Sequence, residues 1–245
     1  APVAAGIIYA VAGPDVVYVV ISGLMLGALF LTSLISEKGR SNRAVGSAVL
    51  ADIRDGVSYV IHDSLVRVLL LLSLAFVLLA MPINFLMPVF VIEVYHRESQ
   101  ALGVLISMLG LGSLIGSLAV ASLTRWRRGA LIIGGGFVTG LALFLLAAIP
   151  IYVAAAAIMV LMGLGNAANR AVNQALVMEH VGDEYRGRVM SLYMMSFGVM
   201  PLGMLPMGFG ADIIGPQKVV MIMAAGMIAI TTVAMLTQRG LRSVQ

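Results

Sequence analysis

Asn166, Asn169, Arg170, Asn173 and Gln174 crowd into nine positions of the stretch GLGNAANRAVNQ, residues 163–174. Their offsets are i, i+3, i+4, i+7 and i+8, which on an α-helix make one face. Amides and a guanidinium can exchange hydrogen bonds and attract an anion, but the set holds no general base and no activated nucleophile. The chemistry on offer is recognition. The run just before, IYVAAAAIMVLM (151–162), suits lipid. An amide facing hydrocarbon leaves its polar atoms unpaired, so this face must meet protein or a water-filled cavity. Two readings stay open. One is a polar wall at the inner mouth of a cavity, with Arg170 drawing anionic groups. The other is an inter-helix hydrogen-bond network with Arg170 reaching the membrane edge. At a 1.5 Å rise per residue Arg170 lies about 28 Å beyond Ile151, near a membrane boundary where Arg can snorkel.

A second polar residue within apolar sequence is Asn84, in AMPINFLMP between Pro82 and Pro88. Each proline removes a backbone donor, so Asn84 either lines a cavity at an irregular helix or satisfies a freed carbonyl. Other chemistry is missing. There is no cysteine, no Gly-rich Lys-Ser/Thr phosphate loop and no serine nucleophile elbow. His62, His96 and His180 are too dispersed for a metal site. No enzyme, cofactor or metal is expected. No carboxylate sits centrally in an apolar run; Glu179 and Asp212 fall near helix ends, so a proton-coupling group is expected in sequence beyond this chain.

The elements that must position these residues are membrane spans. Apolar residues make up 61% of the 245 and charged residues 11%, with a mean hydropathy of +1.06. That leaves too little polar surface to coat a soluble globule. Spans are expected near 16–35, 68–92, 101–123, 130–149, 151–175, 189–210 and 218–237, with residues 1–12 ending another helix. Sorting loops by side puts Lys38, Arg40, Arg43, Arg54, Arg67, Arg125, Arg127, Arg128, Arg186, Arg188, Arg239 and Arg242 together. Arg97 and Lys218 fall opposite, and Arg170 completes the fifteen. Twelve against two predicts a cytoplasmic 36–67 segment and C-terminus in an inner, multi-pass membrane protein. The net charge of +4 thus reads as loop topology, and nucleic acid is not an expected partner.

Within the spans, Gly110, Gly112 and Gly116 with Ser113 and Ser117 form small-xxx-small patterns for close helix packing. Gly198, Pro201, Gly203, Pro206, Gly208 and Gly210 make 189–210 bendable, as packing or as a gating element. Met190, Met194, Met195, Met200, Met204 and Met207 cluster there, suiting either an adaptable apolar cavity or lipid-facing filler. Asp183, Glu184, Arg186 and Arg188 occupy a short loop that could hold an inward-closed state. In the linker, Ile53, Val57, Val60 and Ile61 share one face, which predicts an amphipathic helix along the membrane or under the bundle.

The chain's two ends look alike. Pro2-x3-Gly6, Gly13-Pro14, Val16-Val17 and Gly23 recur as Pro206-x3-Gly210, Gly215-Pro216, Val219-Val220 and Gly226. Such parallel repeats mark transporters built from two halves. Six helices from 68 to 237 would make one half, so about four and a half helices of the other are expected upstream.

These features resemble the C-terminal part of major facilitator superfamily transporters, and more narrowly the branch of enterobactin and macrolide exporters. The resemblance rests on ADIRDGVSYVIHDSLVRVLLLL (51–72), GDEYRGRVMSLY (182–193) and PVAAG (2–6). Thr124 in SLTRWRRG stands where that family's loop motif has an acid, and Met159 where its fourth-span motif has an Arg. The resemblance implies an all-α polytopic bundle, partial here, with these parts: 1–35, the last one and a half helices of the N-terminal half; 36–67, the linker; 68–237, a six-helix half; 238–245, a tail. It implies export of a small amphipathic, drug- or siderophore-like compound by alternating access with proton antiport, the partners being lipid bilayer, substrate and the other half of the protein. A lysophospholipid or lipid flippase, or a non-transporting scaffold or sensor of the same fold, are the alternatives. Substrate-cavity candidates are Asn84, Asn166, Asn169, Arg170, Asn173 and Gln174. Gating candidates are Arg125, Arg127, Arg128, Asp183, Glu184, Arg186 and Arg188. Gly112, Gly116, Pro201 and Pro206 are the packing and bending candidates.

Overall fold

The structure, a computed structural model, describes residues 2–34, 48–98, 100–122 and 128–237. It is helical, with no strand among the described residues. The helices are α1 (Pro2–Ser33), α2 (Ala48–His62), α3 (Ser64–Leu79), α4 (Ile83–Val89), α5 (Gln100–Ser122), α6 (Arg128–Ala148), α7 (Tyr152–His180), α8 (Asp183–Gly198), α9 (Met200–Ile214) and α10 (Pro216–Thr237). A π-helical turn, Phe90–Val94, continues α4. Seven helical segments among the described residues are long and apolar enough to cross a membrane, with α3, α4 and the π turn acting as one and α8 and α9 as another.

The chain divides into two units, Ala1–Val49 and Leu50–Gln245. In the first, α1 runs unbroken through Gly13 and Pro14. The sequence predicts a turn there between two helices, and the structure differs: a spanning helix tolerates Pro once its freed carbonyl is otherwise satisfied. At Gly215-Pro216 the expected turn is present. α9 ends at Ile214, Gly215 takes φ +90°, a conformation that favours glycine, and α10 starts on Pro216.

In the second unit, Asp63 separates linker helix from span. Its carboxylate accepts the Leu65 and Val66 N–H groups at 2.9 and 3.0 Å, capping α3 just ahead of the apolar run. The α2 face that docks is centred on Gly56, whose Cα lies so close to α8 that a Cβ would stand 3.3 Å from Arg188 and Leu192. Val57 and Ile61 of the apolar stripe are exposed, so the stripe is split between protein contact and the surface.

Helices α3, α6, α7 and α10 enclose two apolar cores. One contains Phe76, Phe90, Leu143, Met159 and Met227; the other contains Leu69, Ile132, Val172, Leu176 and Ala234. On each of the four helices the change from one core to the other falls at a buried polar residue. These are Ser73 on α3, Thr139 on α6, Asn169 and Asn173 on α7, and Thr231 on α10. Small residues bring the backbones together at this level: a Cβ on Gly136 would stand 2.7 Å from the Thr231 hydroxyl, and one on Gly165 would meet Thr139.

Candidate functional site

The polar face of α7 divides at that layer. At about 100° per residue, Asn169 and Asn173 point to one edge of the stripe, Asn166 lies between, and Arg170 and Gln174 to the other edge. Asn169 and Asn173 are 2% and 1% exposed, between helices rather than on an open wall. Asn173 Nδ2 donates to the Leu69 carbonyl at 3.0 Å, while its Oδ1 has no partner. Thr139 Oγ1 reaches Asn166 Oδ1 at 3.5 Å, a long contact. These residues fit the inter-helix network.

Arg170 faces the other way and is exposed. Its guanidinium stands over the Phe197 ring, 5.4 Å from the centroid, a cation–π contact that leaves its N–H donors available. Tyr193, one turn earlier on α8, is 2% exposed. Among the described residues no carboxylate pairs with Arg170. The result is a cation held on an aromatic ring at the rim of a buried polar layer, suited to an anionic or carbonyl group.

At the end carrying the basic loops, Arg186 pairs with Asp183 at 2.7 Å and donates from Nε to the Met178 carbonyl at the end of α7. Glu184 is exposed. Arg188 pairs with Asp55 of the linker helix at 3.2 Å and lies 5.4 Å over the Tyr185 ring. Tyr185 stacks on Tyr59 with centroids 5.0 Å apart. Arg128 pairs with Glu179, tying the start of α6 to the end of α7. Arg125 and Arg127 lie outside the described residues. Asn84 is exposed, and its side chain donates to the Met81 carbonyl at 2.9 Å, which also accepts the Asn84 backbone N–H at 3.2 Å.

Comparison with known families settles what kind of bundle this is: the Major Facilitator Superfamily model matches residues 1–202. The chain belongs to the Major Facilitator Superfamily. No curated protein and no solved structure matches it. The chain is thus a multi-pass membrane transporter, an all-α bundle of this superfamily.

In this superfamily bundle the packing candidates occupy close approaches. A Cβ on Gly112 would fall on the Val160 carbonyl, and one on Gly116 would stand 3.0 Å from Leu164 and Ala167. Pro201 sits in the first turn of α9, after the break at Val199, and Pro206 inside it. Met194 and Met195 are exposed, with Met190 beside them along one surface hollow. Sequence reasoning passed over Ser73, Thr139, Tyr193 and Thr231 as ordinary span residues. Their signal was depth: each is polar at the same level of a different helix.

Proposed function

We propose that the intact protein is a secondary transporter that exports a small amphipathic compound, drug- or siderophore-like, by alternating access with proton antiport. Arg170 supports this reading: an exposed guanidinium with no carboxylate partner among the described residues, held on Phe197 beside a buried polar layer. In this reading Arg170, Asn166 and Gln174 form the inner vestibule wall, and Asn169 and Asn173 hold the helices behind it. Asn84 lines the same pathway at the α3–α4 break. The pairs Arg186–Asp183, Arg188–Asp55 and Arg128–Glu179, with Glu184, Arg125 and Arg127 in the same loops, latch the cytoplasmic end. The basic loops set that end in the cytoplasm of an inner-membrane protein.

The test is accumulation of candidate compounds in cells lacking the gene, complemented with the full-length protein or with Arg170→Ala. The wild type should lower accumulation, and Arg170→Ala should weaken efflux of anionic compounds about tenfold or more, the loss of one charge-assisted contact. Undiminished efflux at equal expression would sink the assignment of Arg170. A shift in lysophospholipid distribution with unchanged compound accumulation would move the reading to a flippase.

A further inference from the structure

Arg67 plays no part in the vestibule, yet it heads an apolar slot. Arg67, Leu70, Leu71 and Leu74 follow i, i+3, i+4 and i+7, so they share one face of α3. Leu192, Met195, Ser196 and Val199 repeat those offsets along α8 and its C-terminal cap. The two stripes, with Val60 of α2, line one hollow of about 280 Å3. Arg67 stands one turn into α3, at the end that carries the basic loops. From Arg67 to Leu74 the helix rises about 10 Å, so the hollow has a cross-section of about 25–30 Å2. That is the width of one alkyl chain. A partner helix, about 10–12 Å across with its side chains, does not fit.

The head of the slot is cationic and its length is not polar. Arg67 Nη1 donates to the Ile61 carbonyl at 2.8 Å, which fixes the guanidinium at the end of α2 and leaves further N–H donors for a guest. No carboxylate pairs with it among the described residues; Asp63, one turn earlier, accepts the Leu65 and Val66 N–H groups instead. Ser196 spends its hydroxyl on the Tyr193 carbonyl. The outer side of α2 continues the pattern. Val57 and Ile61 are 39% and 56% exposed there. Arg54, seven residues before Ile61 and so within about 20° of it around the helix, is exposed with no ion pair among the described residues. An apolar strip with a cation beside it suits an amphipathic helix lying on anionic lipid. A free anion would gain nothing from the apolar length, and a neutral chain nothing from Arg67. In the orientation proposed above, this end meets the cytoplasmic leaflet, whose surface is negative.

We propose that this hollow holds one acyl chain of an anionic phospholipid, with the phosphate of its headgroup on Arg67 and α2 lying among the neighbouring headgroups. Arginine suits the role because its planar fork matches a phosphate. The lipid is a bound partner and not the exported compound, so its binding is tested without transport. Delipidated full-length protein in neutral detergent is titrated with phosphatidylglycerol, and separately with phosphatidylcholine of the same chains. Native mass spectrometry reads the first lipid retained. Phosphatidylglycerol should be retained about tenfold more tightly, as expected for one contact between charged groups. Arg67→Gln should remove that preference, and Arg67→Lys, which keeps the charge, should retain most of it. Glycerophosphoglycerol, the same headgroup without chains, should not displace the lipid at equal concentration. Equal retention of the two lipids by the wild type, an undiminished preference in Arg67→Gln, or displacement by the bare headgroup would each overturn the site.

Discussion

Gly112→Ala puts a methyl group where the backbone of α7 already stands. A Cβ on Gly112 falls on the Val160 carbonyl, and one on Gly163 falls on the Leu109 carbonyl and 2.6 Å from the Ser113 nitrogen. Each glycine thus faces main chain of the other helix, and α5 and α7 touch without an intervening side chain. Backbone cannot swing aside as a side-chain tip can, so the helices must part. Forcing a methylene into a packed site costs about 1–3 kcal/mol, and parting the helices also loosens Gly116 against Leu164 and Ala167. We expect a loss near the top of that range, about 3 kcal/mol. Gly110 on the same helix has nothing within 4 Å of its would-be Cβ, so Gly110→Ala should be neutral or gain up to about 1 kcal/mol of helix propensity. For a unit of this size, about 3 kcal/mol lowers the melting temperature by roughly 6–12 °C. Thermal unfolding in mild detergent reads the difference. The double variant Gly112→Ala/Gly163→Ala should fall short of additivity by about 1–2 kcal/mol, because the first methyl has already opened the seam for the second. A Gly112→Ala protein melting within about 2 °C of Gly110→Ala, or strict additivity in the pair, would refute the main-chain contact.

Two further outcomes follow from single contacts. Asp55→Asn removes the linker's charge from Arg188; the carboxylate is half exposed, so the loss should stay below about 1 kcal/mol and show as up to about fivefold faster amide exchange across α2, with unchanged exchange counting against the docking. Tyr95, just past the span, is buried with its hydroxyl unpartnered, and burial pushes its pKa up from 10.0 to about 12. A raised pKa means stability that is whole below pH 10 and is lost as pH rises through about 12. Tyr95→Phe should therefore raise the alkaline unfolding midpoint and add about 1 kcal/mol at neutral pH by deleting an unpaired buried hydroxyl; an unmoved midpoint would show that the phenol is hydrated.

Much of the architecture was legible because lipid imposes simple rules. Apolar length marked the spans, and proline and glycine marked the break at Val199 and the turn at Gly215. What periodicity could not supply was which neighbour each face meets. The α7 stripe reads as one face, yet its arc is wide enough for Asn169 to enter the bundle while Arg170 leaves it. The stripe of Ile53, Val57, Val60 and Ile61 marks α2 as amphipathic but not what it packs on: Gly56 and Tyr59 make the protein contacts, and glycine carries no hydrophobic signal. The turn expected at Gly13-Pro14 was inferred from punctuation residues, whose force drops inside a span. Asp55 and Arg188 lie far apart in sequence, and nothing local announces that they pair.

Stiffness is distributed unevenly in the second unit. In the best window of Arg128–Ala148 56% of residues are buried, in that of Asp183–Ile214 only 6%. The α8–α9 run is held at Val189, Tyr193 and Ser196, then broken at Val199, then held again at Met207. Between these points Gly203 rests against the Leu78 carbonyl, where a Cβ would stand at 2.6 Å. The same run takes part in several of the unit's charged contacts. Arg188 meets the linker helix, and Phe197 carries Arg170. The seam of α5 with α7, by contrast, is main chain on main chain and cannot slide without parting.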